Sequence, residues 1–192
     1  NRSNSLMIKK VGILVYGRFP TEKAYGTHIV EVAKAFSNNK KSVTIFYSKT
    51  NNDFSIDESP ETFYDIPPNI ELKELNNYDF TKLQIFNLLP GFFKKFIWNF
   101  GAIYWSKSVR SELVNMDLLW STNPNLLAPQ KKLNSILIYE KHGAAKYFQR
   151  LSIIYLSRIK NVIFVSTSKT SFDELSKISS SKTIHLPNGV DL

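Results

Sequence analysis

The chain has 192 residues, of which 43% are hydrophobic and 14% aromatic, with a formal net charge of +9 and no cysteine. That is enough apolar material for one sizeable core and too much for a disordered chain, and the lack of thiols excludes a disulfide framework, thiolate metal sites and a cysteine nucleophile while suiting a reducing cytoplasm. The positive balance leaves nucleic acid, anionic lipid headgroups and phosphorylated substrates as candidate partners, beside a merely solvated basic surface.

The opening NRSNSLMIKK lacks the charged-then-apolar pattern of a signal peptide. Residues 11–16 form an unbroken apolar run ended by Gly17, which predicts a buried strand of a parallel sheet. The loop RFPTEKAYG leads into THIVEVAKAFSNN, where Ile29, Val32, Ala33 and Phe36 recur at helical spacing, with Thr27 as the expected N-cap and Asn38 and Asn39 as the stop. SVTIFYS is again strand-like, so the chain opens as a βαβ unit. A polar, turn-rich loop follows, and NIELKEL reads as a third strand. Later strands are expected at DLLWST, SILIYE, NVIFVST and KTIHLP, with helices over residues 91–110, 144–158 and 168–178. Short apolar strands alternating with helices predict an α/β fold, a Rossmann-like doubly wound parallel sheet of about seven strands. The apolar runs at 83–93 and 96–106 are separated by Lys94 and Lys95, and each is too short to span a bilayer.

Ligands of such a sheet gather beyond the carboxyl ends of its strands. That rule places Gly17, Arg18, Ser48, Thr122, Asn123, Glu140, Lys141, His142, Ser166, Thr167 and Ser168 around a common crevice. The first loop is the natural phosphate site, because backbone N–H groups and the helix dipole meet there and Gly26 lets a ligand approach closely; alternatively, Gly26 only permits a tight helix entry. A nicotinamide dinucleotide site is excluded, since the loop lacks G-x-G-x-x-G and the second strand ends in Ser48, Lys49 and Thr50 without an acid. YEKHG sets Glu140 two residues from His142, a carboxylate and an imidazole suited to proton transfer or to binding sugar hydroxyls, or simply a salt-bridged acid beside a surface histidine. The three histidines, His28, His142 and His185, do not pair at metal-ligand spacing, so no metal is expected.

The stretch GFFKKFIWNFGAIYWSKSVR is the most unusual by composition. On a helix Phe93, Phe96, Ile97, Phe100 and Tyr104 share a face that begins at Phe92, flanked by Lys94, Lys95, Lys107 and Arg110, with Trp98 and Trp105 beside it. This is the composition of an interfacial membrane helix and equally of a core helix whose lysines snorkel outward. The aromatics follow helical spacing and not the alternating strand positions of a base-stacking sheet, so no nucleic acid is expected.

Three features stand in order: FPTEKAYGTH after the first strand, YEKHG after a middle strand, and NVIFVSTSKTSFDEL running on to HLPNGVDL. Together they resemble the N-terminal half of a GT-B retaining glycosyltransferase of family four (group 1 type), over residues 11–191 and least between 51 and 116. The resemblance implies one acceptor-side Rossmann-like domain over residues 1–192, with a second, donor-binding domain to follow and with little activity in the first alone. Gly26 and Thr27 would lie by the donor diphosphate, His142 would face the transferred hexose with Glu140 supporting it, and Ser166 and Ser168 would line the same cleft. Arg18, Thr122 and Asn123 would line the acceptor side, and Asn188, Gly189 and Asp191 would belong to the interdomain crossing. The single glycine of the first loop departs from the frequent Gly-Gly pair. The implied co-substrate is a nucleotide sugar, without metal or other cofactor, and the acceptor is a glycan or a lipid-linked glycan. The implied setting is the cytoplasm, with peripheral docking on the inner face of the plasma membrane through Phe92, Phe93, Lys94, Lys95, Trp98 and Trp105. A GT-B sugar-nucleotide epimerase and a non-enzymatic membrane-binding adaptor are the alternatives.

Overall fold

The computed structural model describes residues 8–49, 58–77, 88–142, 147–179 and 182–187. Every strand expected from the sequence is present: β1 (Lys10–Val15), β2 (Ser42–Ser48), β3 (Ile70–Leu75), β4 (Leu118–Ser121), β5 (Ile136–Lys141), β6 (Val162–Ser166) and β7 (Thr183–His185). They form one sheet in the order β3-β2-β1-β4-β5-β6-β7, and all six neighbouring pairs are parallel. The chain winds outward from β1 in one direction and from β4 in the other, so the crevice of this Rossmann-like sheet opens between their carboxyl ends.

The helices are α1 (Ala24–Asn38), α2 (Pro60–Phe63), α3 (Gly91–Ser108), α4 (Arg110–Leu113), α5 (Pro124–Leu127), α6 (Tyr147–Ser157) and α7 (Lys169–Ser179), with a 3-10 helix at Ala128–Lys132. Side chains alternate across each strand, and two cores result. Ile13 and Val15 of β1 point to the face covered by Ile29, Val30 and Ala33 of α1. Leu14 points to the opposite face, where it joins Trp105 of α3, Leu126 and Leu127 of α5, and Leu156 of α6. Asp117 precedes β4 and anchors its neighbour strand, its carboxylate accepting the Lys9 and Lys10 backbone N–H groups at 2.8 and 2.9 Å. Those two bonds hold its carboxyl below the usual range.

Two expectations about local structure change, and the inward face of the aromatic stretch becomes visible. The first helix starts at Ala24, not after Thr27; Lys23 occupies the N-cap without a side-chain cap, and Thr27 lies exposed inside the helix. The early turn is held by Tyr64, whose hydroxyl accepts the Thr21 N–H at 2.8 Å and donates to the Thr21 carbonyl at 2.6 Å. Residues 60–63, expected as loop, form α2, with Ser59 as its N-cap. The aromatic stripe of α3 faces outward: Gly101, Ala102, Trp105 and Ser106 are the buried positions, whereas Phe92, Phe93, Phe96, Phe100 and Tyr104 are exposed. Small residues on the inner side let the helix lie close to the sheet. Among the described residues, no helix is long and apolar enough to cross a membrane.

Candidate functional site

Alternation along β5 sorts the residues of YEKHG. Tyr139 belongs to the α3 and α6 side, where burial pushes its phenol pKa far up. Lys141 is buried and pairs with Glu174 of α7. Glu140 takes the opposite side, toward α1, and His142 follows it at the end of the strand. The spacing of two read from the sequence therefore does bring Glu140 and His142 together, with His142 Nε2 2.8 Å from Glu140 Oε1.

The first turns of α1 supply a partner that sequence spacing could not show. His28 Nε2 lies 2.8 Å from the same carboxylate oxygen, and its ring sits 4.5 Å from that of His142, edge to face. The other carboxylate oxygen accepts the indole N–H of Trp120 on β4 at 3.1 Å. Burial alone would raise the pKa of Glu140, but the hydrogen bonds from His142 and His28 outweigh it and lower that pKa to about 2. An ionised carboxylate only accepts hydrogen bonds, so both Nε2 atoms carry a proton, and in the neutral ring Nδ1 is the acceptor. The two rings thus have a defined tautomer and orientation. Ala24, Tyr25, His28, Thr122 and His142 line one cavity of about 450 Å³ beside this cluster.

The same three residues could hold a metal ion, since one ligand atom from each lies within 4.8 Å of the others. Spacing along the chain does not show this grouping, because His28 joins it from 112 residues away. Each imidazole sits hydrogen-bonded at 2.8 Å from the carboxylate, tighter than the roughly 3.4 Å separation of ligands around a tetrahedral zinc.

A second cavity, of about 300 Å³, is lined by Lys94, Lys95, Trp98 and Asn99 of α3 with Asn123 and Gln149. Trp98 connects it to the crevice. Its ring lies 5.0 Å from that of Tyr16 and packs against Gly17, where a Cβ would come within 3.2 Å of the indole. Gly17 has φ +118, a conformation that side chains disfavour, and its N–H donates to Ser48 Oγ at 3.0 Å. A glycine is required there on both counts.

No protein-family model matches the chain, and no curated protein matches it. Among solved structures it is similar to LpCGTa in complex with UDP, at 12% identity and a TM-score of 0.59 over 96% of this chain and 55% of that one. The fold matches a Rossmann-like domain of GT-B type. The chain is also similar to HepE from Anabaena in complex with UDP and glucose, at 13% identity and a TM-score of 0.58, covering 96% and 45% of the two chains. A sucrose-phosphate synthase from Thermosynechococcus elongatus matches at 13% identity and a TM-score of 0.57, covering 95% and 91%. The chain spans about half the length of LpCGTa and HepE.

The fold treats the expected site residues unequally. His142 and Thr122 line the larger cavity, with Glu140 behind His142; Lys94, Lys95, Trp98 and Asn123 meet at the smaller one. Asn123 also caps α5 through its carbonyl oxygen. Arg18 pairs with Glu22 and donates to Thr21 at 3.2 Å, so its guanidinium is engaged within its own loop. Gly26 is buried under Tyr64, where an added Cβ would collide with the hydroxyl, and its N–H donates to the Lys23 carbonyl at 2.9 Å in the first turn of α1. Thr27 is exposed on α1 and does not line the cavity of His28 and His142. Ser166 is fully buried and donates to the Ser168 carbonyl at 2.7 Å, while Ser168 Oγ accepts the Ser171 N–H at 3.2 Å. Ser166 is thus turned inward below the strand end, while Ser168 is exposed there and caps α7. Trp105 is buried against Tyr16, so it cannot join an exposed membrane face. Asn188, Gly189 and Asp191 lie outside the described residues. His28 and Trp120 were missed; the available signal was topological, since the helix after β1 must begin over the switch point where β5 also ends.

Proposed function

We propose that this chain is the acceptor-side half of a glycosyltransferase that moves a hexose from a nucleotide sugar to a glycan or lipid-linked acceptor with retention at the anomeric carbon. The observation that carries the reading is the pair of histidines held on one buried, ionised carboxylate at the edge of the 450 Å³ cavity beside the strand ends. With Nε2 committed to Glu140, the Nδ1 atoms are left to accept hydrogen bonds from sugar hydroxyls, and the buried carboxylate stabilises positive charge on the sugar as the reaction develops it. In the transfer, the bond from the anomeric carbon to phosphate oxygen breaks, the acceptor oxygen takes its place, and the acceptor proton leaves with the nucleoside diphosphate. The opposite wall, with the nucleotide, belongs to a second Rossmann-like domain whose closure completes the site. That two similar structures hold UDP, one of them with glucose, supports the reading.

The acceptor enters through the smaller cavity, where Lys94 and Lys95 suit an anionic linkage and Trp98 offers a ring face to a sugar. The exposed aromatics of α3 then dock the enzyme on the membrane that carries a lipid-linked acceptor.

The test is turnover by the full-length gene product with a panel of nucleotide sugars, the product's anomeric configuration being read by NMR. Retained configuration is expected; inversion would overturn the retaining assignment. Residues 1–192 alone are expected to show no measurable transfer, and robust turnover by that piece would remove the two-domain reading. His28→Ala in the full-length protein should lower kcat by roughly 10²-fold. EDTA should leave wild-type turnover unchanged, because the histidines act on the sugar and hold no metal; loss on EDTA treatment with recovery on zinc would reassign the cluster as a metal centre.

A further inference from the structure

We propose that a cation-lined cavity at the C-terminal end of α3 binds the phosphate of an anionic phospholipid headgroup, with α3 and α6 lying on the bilayer surface around it. The proposal rests on the membrane reading above and deepens it. The cavity, of about 480 Å³, lies apart from the His28, Glu140 and His142 cluster, and Lys107, Arg110, Lys131 and Lys132 converge on it with no carboxylate among its lining residues.

Its walls are held by a buried polar network. Gln130, fully buried, donates to Ser106 Oγ of α3 at 2.7 Å. It also accepts from Arg110 Nε at 3.4 Å, and Arg110 donates to the Pro129 carbonyl as well. The guanidinium is thereby fixed to the helix and to the 3-10 turn that carries Lys131 and Lys132. Lys131 Nζ lies 4.9 Å from the centre of the Tyr155 ring, a cation–π contact that holds one lysine at the rim. Bringing four cations around one hollow costs repulsion that a bound anion relieves.

The surroundings select a lipid over a soluble anion. Ile103 and Lys107 line the cavity from α3, and on a helix they fall within the same roughly 120° sector as Phe93, Phe96, Phe100 and Tyr104. Tyr155 lines it from α6, one turn beyond exposed Leu151. Phe148 of α6 closes the gap between the two helices, its ring 5.9 Å from Phe92 and 5.4 Å from Phe96. The cations therefore sit at one end of a continuous exposed aromatic face built from two helices. An apolar face flanked by lysines matches a bilayer interface, where the rings enter the acyl boundary and the cations stay at headgroup level.

Co-sedimentation tests this with vesicles of phosphatidylcholine alone and of phosphatidylcholine containing about one third phosphatidylglycerol. The chain should bind the anionic vesicles about tenfold better. Lys131→Glu with Lys132→Glu should abolish that preference. Lys40→Glu with Lys41→Glu, an equal charge change on the α1–β2 turn, should leave most of it. The neutral pair Lys131→Gln with Lys132→Gln should fall between, and circular dichroism should show every variant folded. Equal losses from both charge-reversed pairs would overturn the pocket in favour of diffuse attraction. Equal wild-type binding to both vesicle types, removed by Phe96→Ser with Phe100→Ser, would overturn the headgroup site and leave membrane docking standing. No binding to either vesicle would remove both ideas. Inorganic phosphate saturating the Lys131 and Tyr155 NMR signals, without vesicle binding, would make this a soluble-anion site and overturn the lipid assignment.

Discussion

Glu140→Gln in the full-length protein is expected to lower kcat by about 10²- to 10³-fold while changing KM much less. The substitution keeps the size of the side chain and removes its charge. The carboxylate now accepts from His28 and His142 on one oxygen and from Trp120 on the other. An amide has one acceptor oxygen and one donor nitrogen, so at least one of those three N–H groups must face another donor. With the amide oxygen toward the histidines Trp120 loses its acceptor, and with the nitrogen there both rings do; in either case the negative charge behind the rings is gone.

A second readout separates this role from simple packing. The Glu140 carboxyl titrates near pH 2 in the folded chain against an ordinary 4.5. The unfolded chain thus binds more protons between those values, and folding is favoured by the ionised form. The resulting stability is complete above about pH 4.5, is lost as pH falls through about 2, and amounts to the order of 3 kcal/mol. In the Gln variant this share of the acid limb should vanish, leaving urea stability flatter between those two values. A variant with wild-type kcat and an unchanged acid limb would show that the cluster does neither job.

The second large effect is on stability. Gly26→Ala should destabilise the chain by about 2–3 kcal/mol, because the new methyl would enter the space of the Tyr64 hydroxyl. The added Cβ would stand 2.0 Å from that oxygen and 2.7 Å from Thr21 Cγ2. Tyr64 cannot swing aside cheaply, since its hydroxyl makes both hydrogen bonds to the Thr21 backbone. A double-mutant cycle in urea supplies the check. In a Tyr64→Phe background the penalty of the alanine should fall by about 1 kcal/mol. Strict additivity would mean that Gly26 matters for another reason, and strengthened sensitivity to nucleotide-sugar binding would restore the phosphate role expected from its position before α1.

The aromatic helix shows why composition could not decide between core and surface. Residues 91–110 contain enough apolar side chains for both, and helical periodicity groups Phe93, Phe96, Phe100 and Tyr104 correctly. Which way that group faces depends on the inner side. Gly101 and Ala102 let α3 settle against the sheet while Trp105 fills the space over Tyr16. Small residues, and not the large ones, mark the packed face.

The sequence by itself determined the strands, their parallel pairing as a class, the approximate limits of α3, α6 and α7, and the pairing of Glu140 with His142. These rest on local periodicity, and alternation along one strand puts residues i and i+2 on one side wherever the strand lies. The tertiary structure decided that His28 completes the cluster from 112 residues away. It also decided that Tyr64 claims the space at Gly26, and that Ser166 turns inward while Ser168 caps a helix. Contacts of that kind are set by where separate elements come to rest on the sheet, and no spacing along the chain encodes them.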